Sequence, residues 1–428
     1  MKKKAVERIK TTLIVMLTIS VFLLGWQTTL FNEFVYSLPV LGNVAKLVSG
    51  ASAPGTTEPD RVLIYEAARP LAIVITNSNG ERFGVRNNTL LRNNVYNSVS
   101  GILGEALGSA SEPQEISEGE WRAALSGQGI YFEYFSPVKL SVLDSWLGAE
   151  LPGTMRDLLL RRVFIAFGED KSRVYYQDIG SGLFYLADTA SSAGKAQELE
   201  IYNANGAMFA FETGLAVAEN APYLIVMQGN DYPDVRAAAS GSADEIMDLT
   251  LDVLGYRNET YAARYDNDGF FVRTATQFVI EADAIGHVSY RRAGLLDPVD
   301  EGQLLRESEL IEQARAVVSA TLGGTCGEAE VFFRSLEYES GGSVSVYFDY
   351  YIAGGRILLP DNAYAARITL SGGEVSKAEL RFRSYSLYGE HSGLLPVKQA
   401  LASAGGEFVL SYSDSGVERI QPRWILYE

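Results

Sequence analysis

The sequence has very little of the residue types from which most catalytic sites are built. Its 428 residues include one cysteine, Cys326, and two histidines, His287 and His391. A single cysteine cannot form a disulfide within the chain, and two isolated histidines offer a nucleophile or a metal ion few partners. No His-Glu-x-x-His motif, no Walker loop and no Ser-x-x-Lys motif with its companions occurs. The sequence therefore predicts no catalytic residue and no bound cofactor.

The three scarce residues are predicted to be structural or exposed. Cys326 lies in a Gly-Gly-Thr-Cys-Gly turn after a predicted helix, where a small residue fits and no helper base is near in sequence. His287 follows the turn at residues 284–286, and His391 lies in the predicted loop at residues 389–393. We expect both imidazoles to be exposed polar side chains.

An acidic run at residues 266–269, Asp-Asn-Asp-Gly, invites comparison with a calcium-binding loop. A loop of the EF-hand kind needs ligands at alternate positions and a bidentate glutamate several residues after its glycine. Here the apolar residues 270–272 follow at once, which is typical of a strand. We therefore predict a hairpin turn at this run and no metal site.

Negative charge dominates the chain, whose formal net charge is −17. A field of that sign repels phosphate backbones, and no basic stripe offers a surface to nucleic acid. The exception is the segment 1–10, which carries five cations and one anion. We predict that the chain binds no nucleic acid and that residues 1–10 form a cytoplasmic basic tail.

Residues 11–32 contain no charged side chain. Twenty helical residues at about 1.5 Å each span about 30 Å, the hydrocarbon thickness of a bilayer. The cations before this segment and Glu33 after it place the N-terminus in the cytoplasm and the rest outside. A cleaved signal peptide is the alternative, but the nearest small-x-small site, residues 51–53, lies far downstream and precedes Pro54. We therefore predict an uncleaved transmembrane helix at residues 11–31, which holds the body outside a Gram-positive cell membrane.

One face of this predicted helix carries small and polar residues. Thr11, Thr18 and Gly25 recur at seven-residue spacing. Small residues let transmembrane helices approach each other closely. We call these three residues the transmembrane seam and predict that they contact the transmembrane helix of a partner.

The remaining chain is predicted to fold as an α+β body. A juxtamembrane linker at 32–60 precedes an N-terminal extracytoplasmic domain of mixed strands and helices at 61–235. A helix followed by antiparallel strands is predicted at 236–302, and the same order recurs at 303–428 with further C-terminal strands. No regular βαβ alternation occurs, which favours α+β. Each helix-and-sheet unit covers one face of its sheet and leaves the other for a partner.

Local patterns predict individual elements of this body. Apolar residues at helical spacing indicate a helix at 90–107, and Ser242 with Glu245 indicates a capping box at the start of another. Ser308 is predicted to precede a third helix. Strand-like runs are frequent, among them one at 207–212.

Several segments of the chain resemble the YycH family, membrane-anchored regulators encoded beside the WalK (YycG) sensor histidine kinase in low-GC Gram-positive bacteria. They are MKKKAVERIKTTLIVMLTISVFLLGW at the start, WRAALSGQGIYFEYFSPVKLSVLDSWL at 121–147, RVYYQDIGSGLFYLAD at 173–188 and IQPRWILYE at the end. The resemblance implies C-terminal units of PepSY-like and YycI-like fold and no catalytic residues. It also implies contact with the kinase, and with a YycI-like protein, through transmembrane helices and extracytoplasmic domains. The long linker at 32–60 departs from the family pattern.

The predicted function is that of a non-enzymatic regulatory protein that modulates a WalK-like sensor histidine kinase. A second interpretation is a cell-envelope module that binds wall polymers or peptides on an exposed sheet face. A third is a hydrolase without a recognised motif, because a pair of catalytic carboxylates leaves no mark in a single sequence.

Overall fold

The computed structural model describes residues 66–149, 157–168, 171–190, 193–214, 221–227, 232–266, 270–294, 305–391, 394, 399–400 and 408–426. All of them belong to one compact unit, residues 59–428. Its α-helices in these ranges are Thr89–Gly108 (α1), Glu118–Ala124 (α2), Leu140–Leu147 (α3), Ala243–Val253 (α4) and Glu307–Val318 (α5).

The first sheet forms from strands in the N-terminal half. They are Ala72–Thr76 (β1), Arg82–Val85 (β2), Gln114–Ile116 (β3), Gly129–Lys139 (β4), Leu159–Phe167 (β5), Ser172–Asp178 (β6) and Phe184–Thr189 (β7). The strands lie in the order β2-β1-β4-β5-β6-β7-β3 and pair antiparallel.

Both faces of the first sheet are covered. On β1, Ile73 and Ile75 point into a core shared with α1 and α3, whereas Ala72 and Val74 point into a second core beneath α2. Side chains alternate along a strand, so a strand covered on both faces is apolar throughout. The short antiparallel pair Met208–Phe209 (β8) and Ile225–Val226 (β9) adds to the second core.

The remaining strands form a three-stranded and an eleven-stranded sheet. They are Pro233–Ala239 (β10), Ala262–Tyr265 (β11), Phe271–Thr274 (β12), Phe278–Ala282 (β13), His287–Arg292 (β14), Glu330–Tyr338 (β15), Val344–Ile352 (β16), Gly355–Leu358 (β17), Ala366–Ser371 (β18), Glu374–Arg381 (β19), Arg383–His391 (β20), Phe408–Ser413 (β21), Arg419–Ile420 (β22) and Pro422–Leu426 (β23). The smaller sheet has the order β20-β10-β22. The larger runs β11-β12-β13-β14-β19-β18-β16-β17-β21-β23, and β15 pairs with β16.

The larger sheet is continuous across the two segments in which helix-and-sheet units are predicted. β14 pairs antiparallel with β19, so strands from 236–302 and from 303–428 share one hydrogen-bonded surface. α4 packs on β13, α5 packs on β16 and β18, and apolar residues of both helices join one core. The mixed helices and antiparallel sheets confirm the α+β class.

The starts of α4 and α5 follow from local hydrogen bonds. The predicted capping box of α4 is confirmed, since the Ser242 N–H donates to Glu245 Oε2 at 2.9 Å. Ser308 does not precede α5 but lies buried in its first turn. The reason is that Arg306 occupies the N-cap position, where its N–H donates to Glu309 Oε2 at 2.8 Å.

The strand predicted at 207–212 is wrong in its second half. β8 ends at Phe209, and Ala210–Thr213 forms a 3₁₀ turn. Glu212 Oε2 accepts a hydrogen bond from the Phe209 N–H at 2.9 Å, which caps this 3₁₀ turn. This side-chain contact ends the strand although the residue pattern is strand-like.

Asp178 ties the turn after β6 to the neighbouring strand β5. Its carboxylate accepts hydrogen bonds from the N–H groups of Leu159 (2.9 Å), Gly180 (3.2 Å) and Ser181 (3.0 Å), and from the Ser181 hydroxyl (2.6 Å). Burial alone would raise the pKa of Asp178. The hydrogen bonds outweigh that effect and hold the pKa below its ordinary value of 3.8.

We expect Asp178→Asn to lower the free energy of unfolding by about 1–3 kcal/mol near neutral pH, because a neutral amide is the weaker acceptor. The wild-type carboxylate stabilises the fold above pH 3.8 and loses this contribution as the pH falls through the lowered pKa. The stability difference between the two proteins should therefore shrink in strong acid. Urea unfolding of both proteins across this pH range measures it. A difference independent of pH would contradict the role of the charge.

Candidate functional site

Cys326 is buried, and its thiol makes structural contacts. Its Sγ atom lies 3.0 Å from the carbonyl oxygen of Ala329 and 3.6 Å from that of Gly323. Burial raises the pKa of the thiol to about 11, so the thiol is un-ionised at neutral pH. This geometry agrees with the predicted structural role.

His287 follows the turn at residues 284–286 as the sequence predicts, but its side chain is not exposed, and His391 does not lie in a loop. His287 is half-buried as the first residue of β14, where it pairs in register with Arg381 of β19. Burial, and then the charge of Arg381, lower the pKa of His287 below 6.5. His391 is the last residue of β20 and pairs with Pro233 of β10 instead of lying in a loop. His391 differs because β20 extends further than the local residue pattern indicates.

The strands on either side of the acidic run form the hairpin that the sequence predicts. β11 and β12 pair antiparallel, with Tyr265 opposite Phe271. Asp266 Oδ1 accepts a hydrogen bond from the Phe270 N–H at 2.8 Å, and residues 267–269 lie outside the described ranges. Among the described residues, no group of three or more His, Cys, Asp or Glu side chains is placed to hold a metal ion.

The transmembrane seam, Thr11, Thr18 and Gly25, lies outside the described residues. Within the ranges that the structure describes, no helix combines the length and the apolar character needed to cross a bilayer. The anchor at 11–31 and its seam stay predictions from the sequence.

A cleft of about 690 Å³ opens where the first sheet meets the eleven-stranded sheet. Residues of β4 and β5 line it from the first sheet, and residues of β15, β16, β17, β21 and β23 line it from the larger one. Small-molecule sites commonly enclose about 300–1,000 Å³ and lie between structural units. This cleft is therefore the candidate functional site of the described body.

Charged side chains gather in this cleft, which we call the arginine cleft. They are Arg86, Arg161, Arg334, Arg356 and Asp349. Arg356 Nε lies 2.8 Å from Asp349 Oδ2, and Arg334 Nη1 lies 3.6 Å from Asp349 Oδ1. Burial raises the pKa of Asp349, and the charges of Arg356 and Arg334 oppose that shift. A chain of net charge −17 thus has a locally positive cleft.

Arg86 follows β2 directly and is only 2% exposed. Its Nε donates to the carbonyl oxygen of Gly354 at 3.4 Å, and no carboxylate among the described residues forms an ion pair with it. Gly354 belongs to the tight turn between β16 and β17, where Ala353 and Gly354 have φ angles of 46° and 71°. A Cβ atom on Gly354 would lie 2.9 Å from Arg86 Cγ, so glycine is required for this close approach.

Aromatic contacts join the two sheets beside the cleft. Phe135 of β4 stacks on Phe332 of β15, with ring centroids 3.6 Å apart and planes inclined by 16°. Tyr351 of β16 packs edge-on against Phe135 at 4.5 Å. The guanidinium group of Arg92 on α1 lies 5.3 Å from the centre of the Phe135 ring. The two sides of the cleft are therefore held in a defined relation by contacts across it.

No local pattern in the sequence marks the arginines of the cleft as neighbours. Arg86 follows β2 in the N-terminal half of the chain, far from Arg334 on β15 and Arg356 on β17. One signal was available: Arg161 and Arg162 stand side by side in the otherwise apolar strand LLRRVFIAF. Charged residues are rarely buried unless they are paired or functional, so such a strand indicates a polar site on at least one sheet face.

A scan against models of protein families and a search of curated proteins found no match. Among solved structures, YycH from Bacillus subtilis aligns with a TM-score of 0.53 and 11% sequence identity, covering 87% of this chain and 96% of that chain. An uncharacterized protein from Eubacterium rectale aligns with a TM-score of 0.30 and 13% identity, over 46% of this chain and 76% of its own. The alignment with YycH includes nearly the whole of the YycH chain. The chain therefore has a YycH-like fold, as the resemblance of its sequence implies.

Proposed function

We propose that this chain is a non-enzymatic, membrane-anchored regulatory protein that modulates a WalK-like sensor histidine kinase through transmembrane and extracytoplasmic contacts. The observation that carries the proposal is the YycH-like fold, which extends over 96% of the Bacillus subtilis YycH chain. The sequence segments that resemble the YycH family support the same role. A YycI-like protein is the second partner that this resemblance implies.

Regulation of this kind requires a difference in affinity and no covalent chemistry. A sensor kinase exchanges between signalling conformations, and a partner that binds one of them more tightly increases its population. The predicted anchor at residues 11–31 would place the seam beside the transmembrane helices of the kinase. The body would then contact the extracytoplasmic part of the kinase at the same time, which raises the effective concentration of each contact.

The direct test is reconstitution of the full chain and a WalK-like kinase in proteoliposomes. We expect the wild-type chain to change the rate of kinase autophosphorylation by about fivefold or more, the lower end of typical coupling between sites. The double variant Thr18→Leu with Gly25→Leu should lose most of this effect and co-purify poorly with the kinase, because leucine prevents close approach of the helices.

Ser20→Leu is the matched control for the seam. It adds the same side chain about 200° around a helix from Thr18, on the opposite face, and should behave like the wild type. Membrane insertion is measured for every variant. A kinase whose activity is unaffected by the wild-type chain contradicts the proposed function. A full effect of the double variant contradicts only the seam.

A further inference from the structure

The charges in the arginine cleft are not balanced by the described residues around it. Asp349 is the one carboxylate among the described residues that line the cleft, against four guanidinium groups. Nearby, Glu133 Oε1 lies 3.4 Å from Arg161 Nη2. With both carboxylates counted, the guanidinium groups still outnumber them two to one. Buried charges cost free energy unless opposite charges compensate them, so a bound anion would stabilise this arrangement.

Several donor groups in the cleft have unused hydrogen-bonding capacity. Arg356 Nε lies 2.8 Å from Asp349 Oδ2 and Arg334 Nη1 lies 3.6 Å from Asp349 Oδ1, so these two guanidinium groups share one carboxylate. Arg86 makes one long hydrogen bond, from its Nε to a backbone carbonyl oxygen. Guanidinium groups bind carboxylate and phosphate oxygens through paired, parallel hydrogen bonds. Donors of this geometry, already held in place, favour an oxyanion.

The same cleft has an apolar side. β21 and β23 contribute only apolar side chains to it: Val409, Leu410, Ile425 and Leu426. Leu426 is 55% exposed, at the edge of the sheet, so this side is open to an incoming molecule. A free inorganic ion would leave these side chains in water, and a polyanion would meet the repulsion of a chain with net charge −17. The combination favours a small molecule with an anionic end and an apolar remainder.

We propose that the arginine cleft binds a small organic anion, a carboxylate or a phosphate monoester, with its charged end at Arg86, Arg334 and Arg356. Its apolar part lies against Leu410 and Leu426. This inference goes beyond the regulatory role and does not depend on it, because binding is a property of this chain without a kinase.

Isothermal titration calorimetry tests the proposal on the full chain in phosphatidylcholine nanodiscs, with empty nanodiscs as the blank. Hexyl phosphate and hexanoate are the probes, one for each oxyanion. We expect saturable binding of at least one of them with a stoichiometry of one. Inorganic phosphate has only the charged group of hexyl phosphate, and 1-hexanol has only its alkyl chain. Each should bind about tenfold more weakly than the probe, or worse. Absence of saturable binding by both probes would overturn the proposal.

Two variants locate the site. Arg86→Leu should weaken binding of the probe about tenfold or more, because it removes a charge-assisted donor. Leu426→Asp should weaken it to a similar degree, since it places a carboxylate at the mouth of the cleft and removes apolar contact. Leu426 is mostly exposed, so Leu426→Asp should keep the fold. If Arg86→Leu does not fold, Leu426→Asp still tests whether the probe binds in the arginine cleft.

Matched controls carry similar changes away from the cleft. Arg257→Leu removes an exposed arginine that pairs with Asp252, and Leu387→Asp adds a carboxylate to an exposed position of β20. Both should bind the probe as the wild type does. Equal losses in the control and cleft variants, or unchanged binding by a folded Leu426→Asp chain, would show that the probe binds elsewhere and would overturn the assignment.

Discussion

Replacing Asp414 by alanine should lower the free energy of unfolding by about 3–5 kcal/mol, because it leaves the partly buried guanidinium group of Arg383 without its counter-ion. Asp414 is 1% exposed and accepts two hydrogen bonds from Arg383, from Nε at 2.8 Å and from Nη2 at 2.9 Å. The Tyr385 hydroxyl donates to it at 2.9 Å, and so does the Gly416 N–H. These bonds connect β20 of the three-stranded sheet to the chain after β21 of the larger sheet.

Urea unfolding followed by tryptophan fluorescence measures this loss. Asp188→Ala is the matched control, since Asp188 also forms ion pairs, with Lys171 and Arg173, but on the exposed surface. Exposed ion pairs are screened by water and salt, so the control should lose far less stability. Similar losses for the two variants would mean that burial of the Asp414 pair adds nothing.

The second large effect is expected at Trp121, where alanine should lower the free energy of unfolding by about 3–5 kcal/mol. Trp121 is fully buried in the second core of the first sheet. Its ring lies 5.8 Å from that of Phe184 and 6.1 Å from that of Tyr223, measured between centroids. Truncation would leave a cavity between aromatic side chains that cannot all move inward.

Trp121→Phe provides the comparison. The indole Nε1 has no hydrogen-bond acceptor among the described residues, so phenylalanine removes an unsatisfied donor along with part of the ring. We expect a loss of less than about 1.5 kcal/mol for this variant. Denaturant unfolding of the two variants gives both values. A phenylalanine variant as unstable as the alanine variant would indicate that the Nε1–H group makes a stabilising contact.

The sequence-based predictions were correct where an element is fixed by a contact between residues that are close together in the chain. The start of α4 was predicted correctly because Ser242 and Glu245 are three positions apart and satisfy each other. The hairpin at Asp266 was predicted for the same reason. The prediction of a strand at 207–212 was wrong because the Glu212 carboxylate ends the strand at Phe209. The strand-like residue pattern gives no sign of this contact. His287 was expected to be exposed, but it is half-buried in β14, which pairs with β19 far along the chain.

The sequence by itself determined the α+β class, the capping box of α4, the acidic charge and the scarcity of catalytic side chains. Only the tertiary structure decided that β14 joins β19 in one sheet, and that four arginines line one cleft. Caps and hairpin turns depend on bonds between residues a few positions apart, which the local pattern contains. The cleft depends on which sheets meet: Arg86 bonds to a residue 268 positions away, and that proximity arises only when the sheets pack together.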